Sequence, residues 1–168
     1  MKNKKRYQLL SVCLFFIFMR TTNAQTSGPA IDMKITPVEN GSALPGVSIK
    51  LYQDTVMLLD TRTVTPDGWN ENAENAVVYL KANSKYTLVL TKDEYIKMLI
   101  TLDTHLPSDL PSDKTFLTQA DIKMLRADKY PNLVDSDFPL ALLQYDKEAK
   151  KFLPSKSYAN NIKAMLAK

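Results

Sequence analysis

Apolar residues recur at every second position over much of this chain. The plainest run is 85–104, where Tyr86, Leu88 and Leu90 share one parity and a charged break follows at Lys92-Asp93-Glu94. Ile96, Met98, Ile100 and Leu102 then resume the alternation. A period of two places these side chains on one face, so the stretch predicts two antiparallel strands with a single buried side. Ile31, Met33 and Ile35 alternate in the same way with Asp32, Lys34 and Thr36, up to Pro37. Val47, Ile49 and Leu51 form another inward row, and 56–64 and Val77-Val78-Tyr79-Leu80 supply two more strands. Between them lie turn formers: Asn40-Gly41, Pro45-Gly46, Gln53-Asp54-Thr55, Pro66-Asp67-Gly68 and Ala82-Asn83-Ser84. Short strands separated by such signals predict a mainly β protein, a sandwich with its core between two sheets.

Beyond residue 104 the pattern loosens. Leu-Pro-Ser-Asp-Leu-Pro-Ser-Asp over 106–113 reads as a loop. The segment 116–125 supports a strand, since Phe116, Ile122 and Met124 share a face, and also a helix start at Thr118 with Asp121. The strand is preferred because it completes a sheet already begun. Phe138-Pro139 and the apolar body up to Tyr145 read as a late edge strand. A short amphipathic helix ends the chain, with Tyr158, Ile162, Met165 and Leu166 on one side and Ser157 placed to cap it.

The first 24 residues stand apart. Lys2, Lys4, Lys5 and Arg6 precede an apolar run over 9–19, and Thr22-Asn23-Ala24 supplies small residues for cleavage, the layout of a secretory signal peptide. Cys13 lies inside the apolar run behind Val12, which is not the position of a lipidated cysteine. The expected organisation is a signal peptide at 1–24, a polar lead at 25–30, a sandwich at 31–126, and an extension at 127–168 carrying the edge strand and helix. Five of the 22 Lys and Arg fall in 1–24 and none of the 18 Asp and Glu, which leaves 17 basic against 18 acidic residues. The basic balance therefore belongs to the export signal and gives no reason to expect nucleic acid. The single cysteine goes with it, so the domain depends on apolar packing rather than disulfides.

Chemistry is sparse. A hydrolase needs a nucleophile beside a base, and the one histidine, His105, has Asp103 and Asp109 near it but no serine that the sequence places alongside. Zinc would need several His or Cys ligands, and glycines at 28, 41, 46 and 68 are too scattered for a phosphate cradle. The stretch 67–75 is rich in Asp, Asn and Glu, but it lacks the spacing of a calcium loop and reads as a hydrated turn. Lys34 and Lys50 point to the polar side of their strands, which argues against an isopeptide bond. Asn40-Gly41-Ser42 fits a glycosylation sequon, and the turn explains it without a glycan. Trp69, the only tryptophan, either folds back over the core or offers a contact for a protein or glycan, and it is the one binding candidate. The helix stripe packs on the sandwich or, alternatively, lies on a membrane surface. No catalytic residue, metal ligand or cofactor is assigned.

Asn40-Gly41, Leu44-Pro45-Gly46-Val47 and the strand to Tyr52 resemble the opening of carboxypeptidase regulatory-like domains. Pro66-Asp67-Gly68 sits where that family has an Asp-Gly turn. Tyr86-Thr-Leu-Val-Leu-Thr-Lys92, Tyr95 and Ile100-Thr-Leu-Asp-Thr104 are similar to its closing hairpin. The likeness covers residues 31–104. Two departures stand out: Glu94 replaces the glycine before the hairpin tyrosine, and the first turn reads Leu-Pro-Gly. The resemblance implies a seven-stranded antiparallel prealbumin-like sandwich, a non-catalytic module as in small exported proteins of Gram-negative bacteria. An envelope protein or glycan is then the expected partner, in the periplasm or at the cell surface. The alternatives from other classes are a hydrolase centred on His105 and a calcium-dependent adhesion module.

Overall fold

A computed structural model describes residues 29–64, 74–111, 114–134 and 136–166. Among them are ten strands: β1 (Ala30–Glu39), β2 (Ser42–Ala43), β3 (Ser48–Gln53), β4 (Val56–Arg62), β5 (Ala76–Lys81), β6 (Lys85–Thr91), β7 (Met98–Asp103), β8 (Thr115–Lys123), β9 (Ala141–Asp146) and β10 (Lys151–Pro154). One helix, α1 (Lys156–Leu166), follows them. The strands form two sheets. In the first, β1 lies between β5 and β8, with β2 also paired to β1; the second runs β10-β9-β7-β6-β3-β4. The signal-peptide and polar-lead residues 1–28 lie outside the described residues, as do the Pro66-Asp67-Gly68 turn and Trp69.

The period-two rows become the core. Ile31, Met33 and Ile35 of β1 face Leu88 and Leu90 of β6 and Ile100 of β7, and all six are fully buried. Each such side chain contributes roughly 1.5–3 kcal/mol when it leaves water. In the β6–β7 hairpin Tyr86 pairs with Leu102, Leu88 with Ile100 and Leu90 with Met98, so the inward residues of one strand sit opposite those of the other. The polar break is longer than the sequence implies, because β7 begins only at Met98, although Ile96 is also buried. Asn40 and Gly41, at φ 51° and 84°, form the two-residue turn between β1 and β2. Both are in the left-handed region that an Asn-Gly pair tolerates.

Several details differ from the sequence reading. Pro37 does not close the first strand: β1 continues to Glu39, and the Pro37 carbonyl accepts the Leu44 N–H at 2.8 Å. A strand residue directs its N and C=O to the same side, and beside Pro37 that side is past the end of the β5 ladder, so the missing donor costs no ladder bond. Most of the segment 116–125 is indeed a strand, β8, with Phe116, Ala120 and Ile122 buried, and Met124 just past its end is buried as well. The sandwich is not wholly antiparallel, however. β8 runs parallel to β1, and β9 runs parallel to β7. Nor is β9 an edge: it lies between β7 and β10, and β10 forms the edge. Alternation reports which face a residue occupies, and says nothing of direction or neighbour.

The C-terminal helix exists, but its cap is Ser155 rather than Ser157. The Tyr158 N–H reaches Ser155 Oγ at 3.5 Å, and Ser155 Oγ lies 3.1 Å from Ser157 Oγ. Only part of the expected stripe is covered. Ile162 is buried and the Tyr158 hydroxyl donates to the Pro139 carbonyl at 2.6 Å, while Met165 is exposed.

Candidate functional site

The end of β7 holds the one imidazole. His105 Nδ1 lies 2.6 Å from Asp103 Oδ1, and the same oxygen accepts the His105 backbone N–H at 3.1 Å. Partial burial pushes the Asp103 carboxyl up, but the His105 backbone and ring, with Lys85 nearby, outweigh it and hold the group below its ordinary value. An ionised carboxylate only accepts, so the shared hydrogen sits on Nδ1. The His105 side chain is 60% exposed. An exposed imidazole oriented through Nδ1 is the posture of a general base. Among the described residues no serine or threonine hydroxyl is hydrogen-bonded to the ring, and the third member of a triad is not assembled there. Asp109, the other expected carboxylate, has no bond to His105.

Thr104, between these two residues, is turned the opposite way and is fully buried. Its hydroxyl accepts the Ser84 N–H at 2.9 Å and has the Lys81 and Ser84 carbonyls each at 2.8 Å. The main chain of Thr104 pairs with Asn83 and Ser84 as well. The β5–β6 turn is therefore stitched to the end of β7, and the stitching sets where Asp103 and His105 emerge. Thr63 does the same near the start of β3: it is 1% exposed, donates to the Leu44 carbonyl at 3.0 Å and accepts the Val47 N–H at 3.0 Å. Gly46, at φ 76°, lies in that bend, and a Cβ there would stand 3.0 Å from Lys92 Nζ. Neither threonine is recognisable from sequence, since a threonine at a strand end is ordinary and only burial distinguishes these two.

A third cluster ties the sheets together at the hairpin break. The Tyr95 hydroxyl donates to Glu39 Oε2 at 2.7 Å, and Arg126 stacks 5.7 Å from the Tyr95 ring centroid. The bond to Glu39, followed by burial, holds the phenol above its ordinary value. Arg126 also reaches Glu94 at 3.4 Å and Asp128 at 3.2 Å. Glu94 itself stands at φ 68°, with the Tyr95 N–H donating to the Lys92 carbonyl at 3.1 Å across the turn. A type II turn requires this conformation at its third residue and usually takes it from glycine.

Of the remaining candidates, Trp69 and most of the 67–75 stretch lie outside the described residues. Lys50 Nζ is 3.4 Å from Asp60 on the outer side of the sheet, and Lys34 is half-buried on the corresponding side of β1. Among the described residues no three His, Cys, Asp or Glu side chains gather where one ion could be held. A scan against protein-family models gives no match, and a search of curated proteins gives none either.

Proposed function

We propose that this chain is an exported, non-catalytic β-sandwich module of the carboxypeptidase regulatory-like, prealbumin-like kind, which binds or braces a component of a bacterial cell envelope. The observation that carries the reading is the backbone at Glu94. The resembled family has a glycine before the hairpin tyrosine, and Glu94 holds the left-handed conformation that suits glycine in that place. The strand inventory supports it too. β1, β5 and β8 in one sheet with β3, β4, β6 and β7 in the other make seven strands, to which β2, β9 and β10 are additions.

Turnover calls for a nucleophile and a base presented together. Here His105 is bonded to Asp103, while the neighbouring Thr104 hydroxyl is committed to the β5–β6 turn. A hydrolase centred on His105 is the second reading, favoured by the 2.6 Å Asp103–His105 contact. Screening the purified protein against ester, phosphate and glycoside substrates separates the two. The binding reading expects no turnover, together with retention of an envelope protein or glycan on the immobilised chain that weakens in Trp69→Ala. Turnover that disappears in His105→Ala and Asp103→Asn would overturn it.

A further inference from the structure

Near the packing of β8 on β10, residues 107–110, Lys114 and the β9–β10 turn meet around a cleft of about 260 Å³. Lys114, Lys147 and Lys150 line it, and Asp109 is the carboxylate on its wall among the described residues. Tyr145, Leu110 and Pro107 supply a less polar side. None of the three lysines is ion-paired among the described residues. Residues 25–168 hold 17 basic and 18 acidic side chains, so this local excess is not the by-product of a basic protein.

The backbone that carries two of the cations is also braced, and the third cation rests on a ring. Asp146 Oδ1 accepts the N–H groups of Glu148 at 2.9 Å and Ala149 at 2.8 Å, and Lys150 adopts φ 53°, which together shape the turn carrying Lys147 and Lys150. Lys114 Nζ sits 5.2 Å from the Phe116 ring centroid. Phe116 packs edge to face on Tyr145, and Tyr145 on Phe152. One cation and the strand leading to the other two thus rest on a shared aromatic stack. Preorganised charges lose less freedom on binding.

We propose that the cleft binds one acidic sugar unit, with its phosphate or carboxylate oxygens on the lysines and a ring face against Tyr145 and Leu110. Lysine acts as a point charge rather than a planar fork, which serves tetrahedral phosphate and planar carboxylate alike. The volume lies below the roughly 300–1,000 Å³ typical of drug-sized ligands, so a single ring is the unit that fits. This assignment rests on the reading of the chain as a binding protein and names its ligand class.

The test is an amide-shift titration of the purified protein with glucose 6-phosphate, glucuronate, inorganic phosphate and neutral glucose. The acidic sugars should shift residues 107–111 and 145–150, with the stronger of the two identifying the preferred anion, and glucose should leave them still. Lys114→Gln with Lys150→Gln, both surface changes that keep the fold, should weaken the acidic sugars about fivefold or more. Equal response to glucose, binding unchanged in the double variant, or inorganic phosphate binding as tightly as the sugar phosphate would each overturn the assignment. Release of phosphate from glucose 6-phosphate would sink the non-catalytic reading and leave the cleft standing. No shift with any probe would sink the cleft and leave that reading standing.

Discussion

The two long sides of the sandwich are finished differently. On one, β8 faces β10, and Phe116, Tyr145 and Phe152 run edge to face with centroids 5.8 and 5.6 Å apart. Backbone bonds reinforce that side: Ile96 N–H donates to the Leu125 carbonyl and Ala127 N–H to that of Glu94, so the chain leaving β8 is fastened to the chain entering β7. On the other side β4 and β5 end their sheets next to one another, each paired along one edge. Val56, Met57, Leu58, Val77 and Tyr79 are exposed there, and the last three line a shallow groove of about 150 Å³. The register slips between Leu51, opposite Leu59, and Tyr52, opposite Met57, which leaves Leu58 unpaired in a bulge. Both sides are apolar in composition. What closes one is the reach of its aromatic rings across the gap, and what protects the other from adding a strand is a bulge that bends its edge.

The comparison can be broken at several points. The largest effect is expected in the row that both sides share: Ile100→Asp buries an unpaired carboxylate and should leave no folded protein, while Thr101→Asp on the outer face should be mild. Circular-dichroism melts decide this, and equal loss at both positions would defeat the assigned faces. Next comes Phe152→Ala, which should cost about 3–5 kcal/mol by urea denaturation because it removes the end of the aromatic run. A loss under about 1 kcal/mol would mean the closed side is held by something else. Glu94→Gly should raise stability by up to about 1 kcal/mol, since relief of a left-handed non-glycine outweighs one exposed ion pair.

Smaller again is an acid effect where the β7–β8 crossover begins. The Asp103 carboxyl is held below its ordinary value, so its contribution is fully present above about pH 4 and is lost as pH falls through the lower folded value. Urea midpoints followed into acid should therefore fall less steeply in Asp103→Asn than in the wild type. Smallest of all, Leu58→Lys or Tyr79→Lys on the open side should stay within about 0.5 kcal/mol of the wild type. A larger loss at either position would show that the exposed apolar residues there are packed after all.

The hairpin at 85–103 is legible because its inward row never breaks parity, and each residue of that row is buried. The partners of β8 and β9 are not, since one pattern fits parallel and antiparallel neighbours equally. Two serines two positions apart both suit the helix cap. The choice of Ser155 follows from where β10 stops, at Pro154, which no local pattern announces. The Asp103–His105 pair is readable from its spacing, as an aspartate accepts readily from the N–H two residues on. The lysine cleft is invisible along the chain. Lys114 and the 147–150 turn are brought together only by β8 packing beside β10, a tertiary fact with no signature in either segment.

The parallel ladder between β1 and β8 has a consequence for the order in which the sandwich assembles. Ala30 meets Thr115 and Val38 meets Lys123, so the first strand among the described residues waits for one of the later ones before its second neighbour arrives. Hairpins such as β6–β7 can close early in folding, but this pairing must join distant stretches and comes late. Throughout that interval Ile31, Met33 and Ile35 belong to a ribbon unshielded along one margin. The moment of greatest danger for this protein, from sticky encounters with its own copies, thus falls before β8 has docked beside β1.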